Sequence, residues 1–121
     1  MNRLQGKRAL ITGGSSGIGL ETAKQFAAEG ARVAITARTS EALESARREL
    51  GGAVLCIHSD AGEASDQKEV AERVKEEFEH LDILFVNAGV ADLKPFEQWD
   101  EAAYDRSFAT NVRGPFFLIQ A

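Results

Sequence analysis

The sequence has little in it that could cross-link, kink or insert. Its one cysteine, Cys56, excludes an internal disulfide, and the flanking "AVLCIH" casts it as a buried structural thiol in a strand. Two prolines in 121 residues, with no repeat and no low-complexity tract, exclude a linker-rich or disordered chain. The two histidines, His58 and His80, have no Cys, Asp or Glu at metal-ligand spacing, so no metal site is expected. Nowhere do about 18 apolar residues run together, and "MNRLQGKRALIT" lacks the pattern of an export signal. A cytoplasmic protein without a membrane partner is the resulting expectation. Fourteen basic residues against nineteen acidic leave a net charge of -5, which disfavours nucleic acid as a partner. Any anionic ligand must then be held by a local arrangement.

What is present is a regular alternation of apolar runs and amphipathic stretches, in a length that suits one domain. Residues 7–12 ("KRALIT"), 31–37 ("ARVAITA"), 53–59 ("AVLCIHS") and 83–89 ("ILFVNAG") read as strands, nearly continuous in apolar character as strands buried on both faces are. Between them lie helical periodicities. Gly19, Ala23, Phe26, Ala27 and Gly30 mark a helix over 16–29 that ends at Gly30. Leu43, Ala46 and Leu50 mark a second, stopped by Gly51 and Gly52. Val70, Val74 and Phe78 mark a third running toward Leu81, with Asp66 and Glu69 as a capping box at its start. Its outer face carries Glu69 with Arg73 and Lys75 with Glu79, four apart, and reads as a solvated, ion-paired surface. From about residue 100 the chain reads as helical to its last residue. Trp99, Phe108, Phe116 and Phe117 are expected in core or interface packing. Strands alternating with helices imply a parallel sheet, and right-handed crossovers put helices on both faces. The expected fold is therefore a three-layer, doubly wound α/β sheet.

The first strand-to-helix turn, "TGGSSGIG", holds four glycines in seven positions. Each costs backbone entropy, so their density points to left-handed backbone or to something lying against bare main chain. In a doubly wound sheet this turn lies at the carboxyl edge, where ligands bind and where the next helix presents free N–H groups. Gly17 would let a pyrophosphate approach the backbone, and Gly19 would let helix and strand pack closely. Ser15 and Ser16 would cap the helix or donate to phosphate oxygens. A sharp turn with ordinary helix caps is the alternative.

The order Thr12-Gly13-Gly14-Ser15-Ser16-Gly17-Ile18-Gly19 closely resembles the T-G-x-x-x-G-I-G motif of the short-chain dehydrogenase/reductase family. Asp60 after the third strand, Asn87-Ala88-Gly89 after the fourth, and Asn111 in "TNVRGPFF" fall at matching places. The resemblance implies a Rossmann-like sheet of strand order 3-2-1-4 spanning 1–121, with a nicotinamide cofactor across the strand ends. It implies that Thr12, Gly13, Ser15, Ser16, Gly17, Ile18 and Gly19 form the pyrophosphate turn, and that Asp60 and Ala61 meet the adenine. Asn87 would tie the loop to the neighbouring strand, while Ala88 and Gly89 leave room beside a ribose. Asp60 as a plain Asx turn is the alternative. An NAD enzyme usually carries an acid at the end of its second strand, where this sequence has Ala37 followed by Arg38 and Thr39. That exchange points to NADP, with NAD as the alternative.

In the family, an asparagine at the place of Asn111 belongs to a catalytic tetrad through its main-chain carbonyl, which holds a water. Pro115 supports this independently: it has no N–H, so the carbonyl four residues earlier loses its helical partner. A plain proline kink with a flexible Gly114 and a solvent-facing Asn111 is the alternative. The tetrad's Tyr-x-x-x-Lys is absent, and Tyr104 with Phe108 four residues on does not replace it. Because "PFFLIQA" stops inside an apolar helical pattern, the domain is expected to be incomplete at its C-terminal end. The resemblance thus implies the NADP(H)-binding portion of an oxidoreductase that moves a hydride between nicotinamide and a small-molecule alcohol or carbonyl. A homo-oligomer is expected, joined through the fourth-strand edge or the last helix. A non-catalytic dinucleotide-binding or assembly module is the rival reading.

Overall fold

The computed structural model describes residues 2–121. Four strands, β1 (Arg8–Ile11), β2 (Arg32–Ala37), β3 (Leu55–His58) and β4 (Ile83–Phe85), form one parallel sheet in the order β3-β2-β1-β4. The first three connections are helices α1 (Gly17–Ala28), α2 (Ser40–Leu50) and α3 (Ala64–Phe78). After β4 a loop containing a short 3-10 turn (Phe96–Gln98) leads to α4 (Glu101–Phe108), a π-turn (Ala109–Arg113) and α5 (Gly114–Gln120). The expected three-layer, doubly wound architecture and its strand order are what the chain adopts.

Alternation along the strands builds the two faces. Ile11, Val33 and Ile35 point one way and pack with Ala23 of α1 and with Leu43 and Ala46 of α2. Their neighbours Leu10 and Ala34 point the other way, joining Val70, Val74 and Phe78 of α3 and Leu118 of α5. Central strands buried from both sides have no polar face to show, hence their unbroken apolar runs. At the sheet's outer edge β4 differs, with Ile83, Leu84 and Phe85 each only half-buried. Arg8 and Asp82 stitch the amino ends of β1 and β4 together, with each backbone N–H donating across at 2.9 Å, to the Asp82 carboxylate and the Arg8 carbonyl. That contact holds the Asp82 carboxyl below its usual range. Cys56 is half-buried, its thiol 4.0 Å from the Leu43 carbonyl, and burial pushes its pKa up. Among the described residues no helix is long and apolar enough to cross a membrane.

Several local expectations are corrected. No capping box opens α3: the helix begins at Ala64 after Glu63, which makes no side-chain cap, and the Asp66 carboxylate instead accepts the Asp60 N–H at 2.8 Å. The Asp66 acceptor is claimed by the incoming loop rather than by its own helix end. On the outer face of α3 neither Glu69 with Arg73 nor Lys75 with Glu79 forms an ion pair among the described residues. Exposed side chains gain little by pairing and remain solvated. On α1, Gly19 and Ala23 are buried and Phe26 half-buried, but Ala27 is exposed, so the packed stripe is narrower than the sequence periodicity suggested. Phe108, Phe116 and Phe117 are 49%, 62% and 39% exposed and lie outside both cores, so of the two expected roles core packing is not theirs within this chain.

The final helical stretch is also interrupted. Over Ala109–Arg113 it widens into a π-turn, in which the Gly114 N–H donates to the Ala109 carbonyl, five residues back. Pro115 follows at once and has no N–H to continue the ladder. Gly114 is therefore a packing residue as well as a neighbour of the proline: it is buried, and a Cβ there would overlap the Ala61 carbonyl oxygen. Gly114→Ala is expected to destabilise the fold by about 1–3 kcal/mol through overpacking. Gly52→Ala, where a Cβ meets nothing within 4 Å, is expected to be neutral or mildly stabilising. Urea unfolding of the two variants against the parent chain checks both.

Candidate functional site

The turn after β1 is held by a hydroxyl. Thr12 is 3% exposed, and its Oγ1 accepts the N–H groups of both Asn87 and Ala88 at 3.0 Å. The Thr12 N–H donates to the Phe85 carbonyl at 3.1 Å, and Asn87 returns the contact through Nδ2, 3.2 Å from the carbonyls of Thr12 and Gly13. On the other side the Gly13 N–H reaches the Thr36 hydroxyl at 3.3 Å and the Gly14 N–H the Thr36 carbonyl at 3.1 Å. The exits of β1, β2 and β4 thus form one hydrogen-bonded platform.

The glycines of the turn divide between packing and openness. A Cβ on Gly13 would stand 3.0 Å from Ala88 Cα, one on Gly14 would collide with Ile35, and one on Gly19 would lie 2.6 Å from Asn87 Nδ2. Gly17 is different. Its φ of +55° is left-handed, and nothing lies within 4 Å of where its Cβ would be. Ser16 precedes α1 as its N-cap residue but makes no side-chain cap bond, contrary to one expectation, so the first N–H groups of α1 have no hydroxyl from it.

Above the platform lies a cleft of about 390 Å³. Of the residues singled out in the sequence, Gly13, Ser15, Ser16, Arg38, Thr39, Ala61, Asn87, Ala88 and Gly89 line it. Thr12 and Gly19 sit behind its wall as supports. Ile18, 73% exposed, faces a separate groove beside Leu4 and Phe26. Asp60 opens on an adjoining cavity, and its Oδ1 accepts the Gly62 N–H at 2.9 Å, the geometry of an Asx turn. Thr39 caps α2 by accepting the Ala42 N–H at 3.1 Å. Asn111 pairs with the backbone of Val90 in both directions at 2.8 Å, its Oδ1 accepting and its Nδ2 donating. This contact ties the π-turn to the loop after Gly89, so the Asn111 side chain does not simply face solvent.

Sequence reasoning missed Thr36, Val90, Thr110 and Gln67. Thr36 is a buried hydroxyl in an apolar strand, and only its burial and its Gly13 donor mark it out. Gln67 is 2% exposed and donates from Nε2 to the Asp60 carbonyl at 2.8 Å, so it sets the loop that carries Asp60 and Ala61. Arg38 is exposed and makes no ion pair among the described residues, which leaves a whole positive charge at the rim of the cleft. No group of three or more metal-ligating side chains occurs among the described residues.

A glycine-rich turn at the carboxyl edge of a parallel sheet, beside a polar cleft, defines a protein of dinucleotide-binding fold. The sequence profile of the short chain dehydrogenase family matches residues 7–121, and the chain belongs to that family of oxidoreductases, which bind a nicotinamide cofactor. It is 38% identical over 119 residues to galactitol 2-dehydrogenase of Agrobacterium fabrum, covering 98% of this chain and 46% of that protein. It is 39% identical over 119 residues to sorbitol dehydrogenase of Cereibacter sphaeroides, with the same coverage of 98% and 46%. Among solved structures, a 3-ketoacyl-(acyl-carrier-protein) reductase from Brucella melitensis in complex with NADH superposes with a TM-score of 0.90 at 36% identity, over 97% of this chain and 49% of that one. The chain spans about half the length of the relatives it matches.

Thr12→Val keeps the shape of the side chain but removes the acceptor of two N–H groups. It is expected to cost about 1–3 kcal/mol for each donor left unsatisfied, whereas Thr12→Ser retains most of the stability. Equilibrium denaturation of both variants measures the difference.

Proposed function

We propose that this chain is the NADP(H)-binding portion of a short-chain oxidoreductase that moves a hydride between nicotinamide and an alcohol or carbonyl. The observation that carries the cofactor choice is Arg38, an unneutralised guanidinium lining the same cleft as Gly13 and Ser15, where an NAD enzyme usually has an acid just before it and this chain has Ala37. The residues fit a dinucleotide. Gly17 leaves open space over bare backbone at the start of α1, Ser15 and Ser16 face the cleft, and the close packing of Gly13 against Ala88 keeps its floor low.

In this reading the free N–H groups at the start of α1 and the Ser15 and Ser16 hydroxyls hold the pyrophosphate. Arg38, with Thr39 beside it, holds the ribose 2′-phosphate, which a planar fork matches in two hydrogen bonds. Asp60 and Ala61 border the adenine, with one Asp60 oxygen already committed to the Gly62 N–H. Asn87, Ala88 and Gly89 set the floor beneath the nicotinamide-side ribose, and Asn111 steadies that floor through Val90. When bound, the nicotinamide supplies the hydride chemistry. Proton transfer is assigned to no residue of this chain: Tyr104 is 54% exposed and stacks on Phe108 with ring centroids 4.5 Å apart, and it does not line the cleft.

The chain is expected to bind NADPH roughly ten- to a hundredfold more tightly than NADH, the range of one charge-assisted hydrogen bond. Arg38→Ala removes that preference, and Ala37→Asp combined with Arg38→Ala reverses it. Titration followed by nicotinamide fluorescence reads the ratio, and equal affinities before and after the exchange would overturn the NADP assignment. Gly17→Ala is expected to abolish binding of both nucleotides while circular dichroism shows a folded chain. Left-handed alanine costs only about 1–2 kcal/mol; Gly17 lies beside the residues that line the cleft rather than among them, and in this reading its methyl would meet the pyrophosphate at the start of α1.

A further inference from the structure

The main chain of Asp60 is held on both sides, and both holds come from the first turn of α3. Its N–H donates to the Asp66 carboxylate at 2.8 Å, and its carbonyl accepts from Gln67 Nε2 at 2.8 Å. The same Nε2 lies 3.2 Å from the Glu63 carbonyl and 3.4 Å from Ser59 Oγ, so one amide spans the passage from β3 to α3. Before Asp60, the Ser59 N–H is fixed to the Ala37 carbonyl of β2 at 2.9 Å; after it, the Ala61 carbonyl lies against Gly114. Little freedom is left to this loop.

Gln67 stands in the buried stripe of α3, three residues before Val70 and seven before Val74, where an apolar side chain would serve the core as well. At 2% exposure its amide is desolvated and depends on its partners. Those partners belong to the loop at the edge of the cleft. Ser59 and Ala61 line the cleft, while Asp60 between them opens on the adjoining cavity, so the hold on the Asp60 peptide decides which way each of the three faces. One Asp60 oxygen is used by the Gly62 N–H, and the other, Oδ2, has no hydrogen bond or ion pair among the described residues. Asp60, Glu63 and Asp92 outnumber Arg38 and Arg106 around that cavity, a lining that suits a neutral hydrogen-bond donor rather than an anion.

We infer that Gln67 and Asp66 are positioning residues for the adenosine end of the cofactor: by clamping the Asp60 peptide they present the unused Asp60 oxygen to the amino group of the base, and so set a preference for an amino purine. This inference rests on the dinucleotide reading above, but not on the choice between NADP and NAD. Neither Asp66 nor Gln67 lines the cleft or the adjoining cavity, so both act through Asp60 rather than on the ligand.

The comparison that tests this is NADPH against its hypoxanthine analogue, in which a carbonyl oxygen replaces the amino group of the base. Both are titrated by nicotinamide fluorescence into the parent chain and into Gln67→Met, Asp66→Ala and Asp66→Asn, with circular dichroism to verify folding. The parent is expected to bind NADPH about tenfold more tightly than the analogue, the lower range of one charge-assisted hydrogen bond. Gln67→Met fills the same space without a donor, and Asp66→Ala removes the acceptor of the Asp60 N–H; each is expected to bring the ratio close to one, chiefly by weakening NADPH. Asp66→Asn keeps an acceptor and is expected to keep the ratio. A loss shared equally by both dinucleotides, or an unchanged ratio in either Gln67→Met or Asp66→Ala, overturns the positioning role. Should the buried Gln67→Met fail to fold, the half-buried Asp66→Ala decides. If the parent binds both dinucleotides equally well, this inference fails and the dinucleotide reading stands; if it binds neither, both fail.

Discussion

The junction of the β1 and β4 exits, on which the cleft is built, depends on the Thr12 hydroxyl. A parallel sheet brings strand exits together without joining them, because each exit leads into its own crossover. Here one buried oxygen accepts two backbone N–H groups from the β4 exit, and the Asn87 amide answers with donors to the β1 exit. Inside the protein such bonds are worth more than in water, and leaving one unmade is costly. The loops that line the cleft are thereby fixed relative to each other before any ligand arrives.

The glycines follow from that tie. Once the β1 and β4 exits are lashed together, the main chains at Gly13 and Ala88 are too close for a side chain, and α1 lies too near the Gly13 carbonyl and Asn87 for one at Gly19. These positions are glycine for reasons internal to the fold. Within the turn, Gly17 is the glycine with open space where a Cβ would stand. The same short motif therefore contains both the structural support of a site and the surface that a ligand would touch.

Charge is handled in a similar local way. A chain of net charge -5 would repel a polyphosphate at long range, yet Arg38 lines its cleft with no ion pair among the described residues. Fields fall off within about 10 Å at moderate salt, so nearby cations decide the matter at the site. The acids elsewhere on the surface, such as those along the outer face of α3, keep their solvation and contribute little to it.

Much of this was legible in the sequence. Unbroken apolar runs alternating with amphipathic stretches suffice for a doubly wound sheet, because only a strand buried on both faces lacks a polar side. The glycine turn, Asp60, the Asn87 segment and Asn111 could be located because backbone constraints at strand exits admit few residue types. Tertiary structure alone decided which oxygen those residues would meet. The Asp66 carboxylate, a cap by its spacing, is taken by the Asp60 N–H, and Gly114, beside the proline, is packed against the Ala61 carbonyl. Thr36 and Gln67 carry no local mark, since a threonine in a strand and a glutamine on a helix are ordinary there. Their importance arises from partners and cavities brought near by crossovers, and no window along the chain contains those.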